Sequence, residues 1–238
     1  MKLNLLLASL LFLFDTSIQY NISIRSQTKW KSDSHWRKIR KEEERQFDEK
    51  RNLVKWIQFT SGGSICEEFK YEYEGKGKIK EYRISCLQDY SQAEVKTFKY
   101  GINDRIEEEL VFKNNKLNMN SIFKFKQSGD KLPYLKEDYF VGDVKPATVT
   151  NLTYDKHGNV MEERQLGSGR WFRIHTYKFN SAGQMIYQTA LVDGGKGLIE
   201  YFYIFDNKVL SRDSVLIPGS ETEYHVYETQ VLTNAMKQ

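Results

Sequence analysis

The most regular feature of the chain is a short phrase in which aromatic or apolar residues alternate with polar ones, then give way to a turn and an aliphatic residue. Residues 176–185 are the clearest copy and residues 152–160 are the next. Alternation, a turn and renewed alternation are typical of two strands joined by a tight connection. The phrase therefore predicts a series of β-hairpins. Further copies occupy residues 71–79 and 98–106, with looser ones at 123–132 and 203–209.

The spacing of the phrase sets the architecture. Tyr154, Phe179 and Phe205 are separated by 25 and 26 residues, and Tyr73 and Tyr100 by 27. This period accommodates two strands and two turns, whereas a crossover helix would need more residues. We therefore predict an all-β protein in which roughly a dozen antiparallel strands follow one another as a meander. The pattern is compatible with both an open sheet and a closed one.

The turn residues have specific roles. Gly158 and Gly183 each follow the anchor aromatic by four positions. That position suits the left-handed residue of a turn with a bulge, where a side chain would clash. Asp155 and Asn180 begin these turns and can accept hydrogen bonds from amides two residues on. Between the turns, charged residues interrupt the apolar positions, which predicts one buried and one wet face.

A different pattern precedes the phrases. Trp36, Ile39, Glu43, Phe47 and Arg51 are three or four residues apart in a highly charged segment. This spacing predicts one amphipathic helix over residues 34–51 that covers an edge of the sheet. A helix that binds a partner protein is the alternative.

The beginning of the chain has the composition of a secretory signal. Lys2 is followed by an apolar run from Leu5 to Phe14, which is too short to span a bilayer. We predict a signal peptide over residues 1–19, an N-terminal segment with the charged helix over 20–52, and a β-repeat domain over 53–238. The mature chain would begin near Tyr20, without a membrane span, in the periplasm or outside the cell. An uncleaved anchor or a buried helix is the alternative for the apolar run.

The charge of the chain argues against nucleic acid as a partner. The 36 basic and 32 acidic side chains leave a net charge of only +4, and the basic residues are not clustered, so nucleic acid is not an expected partner.

Cys66 and Cys86 flank the turn at Gly75 and Gly77 symmetrically. Because an exported chain meets oxidant, they are candidates for a disulfide, with two buried thiols as the alternative. A bulge in the hairpin would displace one sulfur.

Motifs for catalysis or metal binding are not evident. His35, His157, His175 and His225 lack the close spacing of a zinc motif, so we expect neither a metal site nor a cofactor. No Gly-x-Ser-x-Gly sequence occurs, and the carboxylates come in runs that are typical of wet faces. No catalytic residue is therefore assigned.

Aromatic residues are the remaining signal, at 14% of the chain with 15 tyrosines. Around the turn at residues 193–196, Val192 pairs with Gly197 and Tyr187 with Phe202 in the expected register. If Phe202 faces the core, then Tyr201 and Tyr203 point the other way, beside Gln188. Tyrosines next to an amide offer stacking and hydrogen bonds together. The predicted ligand- or partner-binding residues are Trp171, Tyr201 and Tyr203; packing inside a closed barrel is the alternative.

The phrase resembles the YD-type repeat of RHS proteins, in which tyrosine and aspartate precede a turn, a glycine and a strand. Residues 154–159 match this repeat best and residues 179–184 are similar. The resemblance covers residues 65–228, and MORN-like repeats are a second, weaker match. It implies an extracytoplasmic array of β-strands and transfers no catalytic residue.

These observations favour an exported, non-enzymatic β-repeat protein with a binding or envelope-associated structural role. Carbohydrate or another envelope protein would be its partner. One alternative is a hydrolase of envelope polymers, which would require His175, Arg173 and nearby carboxylates to converge. Another, suggested by the RHS-like phrase, is a toxin-neutralising or assembly partner.

Overall fold

The chain folds as a closed antiparallel β-barrel. The computed structural model describes residues 24–86, 93–168, 172–192, 197–206 and 209–231. Each of the 16 strands pairs with its neighbours in the sequence, and β1 pairs with β16 to close the sheet. The predicted all-β antiparallel meander is therefore confirmed, in closed form and with more strands than expected.

The strands, in chain order, are β1 (Ile24–Ser32), β2 (Lys38–Phe47), β3 (Leu53–Phe59), β4 (Ile65–Glu74), β5 (Lys78–Cys86), β6 (Glu94–Tyr100), β7 (Ile106–Lys113), β8 (Lys116–Lys124), β9 (Leu135–Phe140), β10 (Thr148–Tyr154), β11 (Val160–Gly167), β12 (Phe172–Phe179), β13 (Met185–Val192), β14 (Gly197–Asp206), β15 (Val209–Leu216) and β16 (Glu223–Val231). The described residues contain no α-helix, and short 3₁₀ turns occupy Gly75–Gly77 and Ile102–Asp104.

The predicted N-terminal helix is wrong, because its residues form β2 and the turns on either side. β2 pairs with both β1 and β3, so non-local hydrogen bonds override the local helical pattern. Glu43 and Arg45 lie on one face of the strand, 3.0 Å apart between Oε2 and Nη2, and the Trp56 indole also donates to Glu43. Trp36, expected in the helix, lies in the β1–β2 turn with a φ of 63°. β1 and β2 therefore belong to the same sheet as the repeats.

The repeated phrase forms the turns at one end of the barrel, because every second connection of a meander lies at the same end. Gly158 and Gly183 have φ values of 87° and 76°, as predicted for the left-handed position. Asp155 accepts hydrogen bonds from the amides of His157 and Asn159, at 2.8 and 2.9 Å. The predicted turn chemistry is confirmed.

Tyrosine anchors link successive copies of the phrase. Tyr73 donates a hydrogen bond to the carbonyl of Leu53 at 2.8 Å, and Tyr100 donates to the carbonyl of Ile79 at 2.7 Å. Tyr154 donates to the carbonyl of Pro133 at 2.7 Å. In each pair the acceptor is 20 or 21 residues earlier, at the start of the chain segment that follows the preceding turn. The bond therefore ties each turn to its neighbour along the rim.

The two faces of the sheet differ as the alternation predicted. In β4, Phe69 and Tyr71 are buried on the inner face, while Lys70 and Glu72 are exposed on the outer face. An apolar cluster lines the β3–β5 part of the inner wall, and a second one lies on β10–β12. The first comprises Leu53, Trp56, Phe69, Tyr71, Tyr82 and Ile84; the second comprises Leu152, Val160 and Tyr177.

Register decides the geometry of the cysteines. Cys86 pairs with Glu67, one residue away from the predicted pairing with Cys66. The displacement comes from a bulge between Glu72 and Tyr73, which is the irregularity named in the sequence analysis. The two cysteines are therefore not directly opposite, and the disulfide stays a prediction that thiol counting would test.

The predicted signal peptide over residues 1–19 and the mature start near Tyr20 lie outside the described residues. Within residues 24–231, apart from the gaps given above, no helix has the length and apolar character needed to cross a membrane.

Candidate binding wall inside the barrel

The tyrosines predicted to bind a ligand lie on the inner face of the barrel. The predicted pairs Tyr187–Phe202 and Val192–Gly197 are confirmed. The assignment of faces is reversed, because Phe202 and Ile204 are 41% and 40% exposed on the outer face. Tyr201 and Tyr203 point inward, where hydrogen-bonding partners from neighbouring strands are available. Trp171 lies outside the described residues.

Gln188 is the polar neighbour of these tyrosines. It pairs with Tyr177 on one side and with Tyr201 on the other. Its side-chain oxygen accepts a hydrogen bond from Tyr203 at 3.0 Å, and only 1% of the residue is exposed. Its side-chain nitrogen is buried and has no hydrogen-bond partner among the described residues. A buried amide with an unused donor needs a further partner to avoid a loss of about 1–3 kcal/mol.

Glu163 and His175 lie opposite each other on the adjacent strands β11 and β12. Burial raises the pKa of Glu163 to about 7, although Tyr177 and Lys136 act against this change. Burial also lowers the pKa of His175 to about 4, and the positive charge of Arg173 adds to this effect. The His175 Nδ1 atom has no hydrogen-bond partner in the described part of the chain. Between about pH 4 and pH 7, this pair is therefore predominantly uncharged.

We call Glu163, His175, Tyr177 and Gln188 the Glu163 cluster. Its rings of His175 and Tyr177 are nearly parallel, with centroids 6.4 Å apart and planes at 19°. The buried side chains come from three consecutive strands, so the cluster forms a continuous patch of the inner wall. From the sequence, His175 was grouped only with Arg173 and unnamed carboxylates, for the hydrolase alternative, and Glu163 and Gln188 were not identified as part of one patch with it.

A second buried group has a different electrical character. We call Lys96, Glu109, Ser121, Lys136 and Asp138 the Glu109 cluster. Glu109 Oε1 lies 3.1 Å from the Lys96 ammonium, and Glu109 Oε2 lies 3.7 Å from that of Lys136. Lys136 also lies 3.2 Å from Asp138, which accepts a hydrogen bond from Ser121 at 2.6 Å. Two cations and two carboxylates balance within the wall.

The third group lies where the barrel closes. We call Lys29, Glu42, Asp213, His225 and Tyr227 the Asp213 cluster. His225 bonds to Asp213 through Nδ1 and lies 3.1 Å from Glu42 through Nε2. Burial opposes protonation of His225, but these bonds to two carboxylates outweigh it and raise its pKa. Asp213 also accepts a hydrogen bond from Tyr227 and faces Lys29 at 3.8 Å.

The three groups differ in how fully their polar atoms are used. Charge pairs hold the Glu109 and Asp213 clusters together, which is typical of structural networks. The Glu163 cluster has unused hydrogen-bonding atoms and tyrosines beside it, which is typical of a surface that contacts a ligand. In the part of the chain that the structure describes, no group of His, Cys, Asp and Glu residues is arranged to hold a metal ion.

Comparison with solved structures gives a likeness of fold. A porin-like protein from Bacteroides uniformis ATCC 8492 superposes with a TM-score of 0.55 at 9% identity, over 87% of this chain and 98% of that one. A porin-like protein from Bacteroides vulgatus ATCC 8482 gives 0.43 at 10% identity, over 88% and 99%. This chain covers only 9% of a chain of the Photorhabdus luminescens Tc holotoxin pore, with a TM-score of 0.39 and 15% identity over 77% of this chain.

No protein-family description matches the sequence, and no curated protein matches it either. At these identities, the likeness to the Bacteroides uniformis protein establishes a β-repeat barrel fold and nothing about activity.

Proposed function

We propose that the protein is an exported, non-enzymatic barrel that binds a small uncharged ligand, of the carbohydrate class, on its inner wall. The observation that carries this proposal is the Glu163 cluster, in which buried polar atoms without protein partners lie beside Tyr201 and Tyr203. Tyrosine faces stack on sugar rings, and unused donors and acceptors bond to hydroxyl groups.

The outer face supports a barrel surrounded by water rather than lipid. Lys55 and Lys70 lie 3.2 and 2.8 Å from Glu68, near the middle of β3 and β4. Arg83 lies 2.6 Å from Glu81 on the next strand. A lysine or arginine facing lipid at mid-bilayer costs about 2–4 kcal/mol. Ladders of such pairs therefore favour a barrel without a membrane span, despite the porin-like fold.

Export is tested by expressing the full chain with its native N-terminus in a bacterial host and sequencing the N-terminus of the extracytoplasmic product. We expect the mature protein to start near Tyr20. Recovery of a product that still begins at Met1 would contradict the predicted signal peptide.

Binding is tested by saturation-transfer NMR with maltose, cellobiose and N,N′-diacetylchitobiose as probes. We expect Tyr201→Leu, on the inner face, to weaken binding of any disaccharide that the wild type retains. Phe202→Leu is the matched control, because that residue is on the same strand but on the outer face. Equal loss in both variants would contradict an inner binding wall.

A hydrolase is the second candidate, since Glu163 on β11 pairs with His175 on β12. Arg173 is on the same strand as His175. A carboxyl group with a pKa of about 7 can serve as a general acid. The same disaccharides distinguish the two functions, because a hydrolase releases monosaccharides whereas a binding protein returns each probe intact.

A further inference from the structure

We infer that Glu163, His175 and Gln188 form the hydrogen-bonding floor of a ligand site and contact the hydroxyl groups of an uncharged sugar. This inference rests on the proposed function and assigns the polar half of the site, whereas the tyrosines provide its stacking half. The floor spans β11, β12 and β13 on the inside of the barrel.

Unused hydrogen-bonding atoms are the first support. Gln188 and His175 are 1% and 6% exposed, so bulk water does not satisfy them. The Gln188 side-chain nitrogen and His175 Nδ1 have no partner among the described residues. Gln188 and Tyr177 are directly paired, and His175 is two residues before Tyr177 on the same face. Two unused polar atoms on one patch point to a shared partner that bridges them.

Charge selects the class of ligand. The cations of the Glu109 and Asp213 clusters are held by their own carboxylates, so they do not supply a free charge for an ionic ligand. Within the floor, Gln188 carries no charge at any pH and His175 is neutral near pH 7. Hydroxyl groups, which donate and accept at the same atom, fit such a neutral set of partners.

Glu163 makes the site sensitive to pH. The groups that face it are Tyr154 on β10, Tyr177 and His175 on β12, and Lys136 on β9. A protonated Glu163 donates one hydrogen bond and accepts others, whereas the carboxylate only accepts. Binding of a neutral sugar should therefore weaken as Glu163 loses its proton, and glutamine at this position should keep the uncharged form at every pH.

The test measures disaccharide affinity by titration calorimetry from pH 5 to pH 9, with the probes named above. For the wild type, we expect the affinity to fall by about tenfold or more as pH rises through 7, which corresponds to loss of about one hydrogen bond. Glu163→Gln should bind as the wild type does at pH 5 and show no such fall. Gln188→Leu should weaken binding at every pH.

Thr189→Val is the matched control for Gln188→Leu. Thr189 is the next residue along β13, and its hydroxyl bonds to Thr176 at 2.6 Å on the outer face. If Gln188→Leu does not fold, His175→Phe provides the same test from the neighbouring strand. We expect the Thr189→Val protein to bind as the wild type does.

The outcomes separate this inference from the proposed function. Disaccharide binding that depends on Tyr201 but not on Glu163 or Gln188, with no change across pH 7, would overturn the polar floor and leave the proposed function intact. Failure of all three probes to bind the folded wild type at any pH would overturn both. Loss of binding in Thr189→Val to the same extent as in Gln188→Leu would also overturn the floor.

Discussion

Two buried glutamates in the same barrel wall have pKa values that are shifted in opposite directions. Glu109 is 2% exposed and Glu163 is 9% exposed, so burial penalises the charged form of both. Two nearby lysines, Lys136 and Lys96, more than offset burial and lower the pKa of Glu109 to about 2. Glu163 has Tyr177 as its hydrogen-bonding partner and a weaker influence from Lys136, so its pKa is raised to about 7.

Nearby cations decide whether a buried carboxyl group of the barrel is charged. Where a carboxylate faces paired cations, as in the Glu109 cluster, the charges are retained and stabilise the packing of the wall. Where the influence of a cation is weaker, as at Glu163, the carboxyl group holds its proton up to about pH 7, and its neighbours keep unused donors and acceptors. Charge pairs within the protein hold the first arrangement together, whereas we propose that a ligand completes the second.

Removing a cation from the complete cluster should have the largest effect. Lys136→Met leaves Glu109 and Asp138 without one of their partners in a buried site. We expect a loss of about 3–5 kcal/mol in the free energy of unfolding, measured by urea denaturation at pH 7. Lys70→Met is the control, because this exposed lysine contacts Glu68 on the outer face and should change stability by about 1 kcal/mol or less. Equal effects of the two changes would contradict the difference between the faces.

Replacing Glu163, whose carboxyl group burial keeps protonated up to about pH 7, should change the stability in the opposite direction. The pKa of Glu163 rises from 4.5 to about 7 on folding. The folded state therefore holds the proton more tightly, and this contribution is complete below pH 4.5 and lost as pH rises through 7. Glu163→Gln cannot ionise, so it should be more stable than the wild type by about 3 kcal/mol at most above pH 8 and nearly equal at pH 4. Thermal unfolding at both pH values measures this; a variant that is less stable at pH 8 would contradict the assignment.

Replacing His225 should have an effect of intermediate size on stability. This residue is buried between two carboxylates where β1 and β16 close the barrel. Its pKa is raised above 6.5, so the stability that it adds is complete below pH 6.5 and is lost as pH rises through the raised value. Charge-assisted hydrogen bonds of this kind are worth about 2 kcal/mol. We expect His225→Gln to be less stable than the wild type at pH 5.5 by about this amount and the gap to narrow at higher pH. A gap that widens with pH would contradict a protonated His225.

The smallest effect should come from a half-buried tyrosine whose hydroxyl group bonds to a neutral backbone carbonyl. Tyr73→Phe removes the hydroxyl that donates to the Leu53 carbonyl at the rim. We expect a loss of about 1 kcal/mol in the free energy of unfolding, independent of pH below 9. Phe179 is the natural comparison, since it occupies the same position of the phrase without a hydroxyl. A loss as large as that of Lys136→Met would show that the rim is held by more than this bond.

The fold was predictable where local chemistry decides it. Gly158 and Gly183 fix their turns by adopting positive φ, and Asp155 and Asn180 complete them with side-chain acceptors, so each hairpin is encoded within ten residues. Closure of the barrel was not predictable, because it depends on the pairing of β1 with β16 from opposite ends of the chain. The same non-local pairing turned the predicted helix around Glu43 into β2.

The candidate site was only partly predictable. The alternation in β14 placed Tyr201 and Tyr203 on one face beside Gln188, but it could not identify which face was inside. Glu163 was not identified because it lies in a run of charged residues, which is typical of a solvent-exposed face. Its neighbour Glu162 does point outward. The signal was the parity that Glu163 shares with Leu152 and His175 through the register of β10, β11 and β12.

The uncharged inner wall is tested most directly by the pKa of Glu163, measured by the chemical shift of its side-chain carboxyl carbon in protein labelled with ¹³C-glutamate. Loss of one titrating signal in Glu163→Gln assigns the resonance. We expect a midpoint near pH 7, well above that of the outer-face glutamates. A midpoint at or below 4.5 would mean that Glu163 is charged and satisfied by the protein, and would contradict an uncharged, ligand-facing wall.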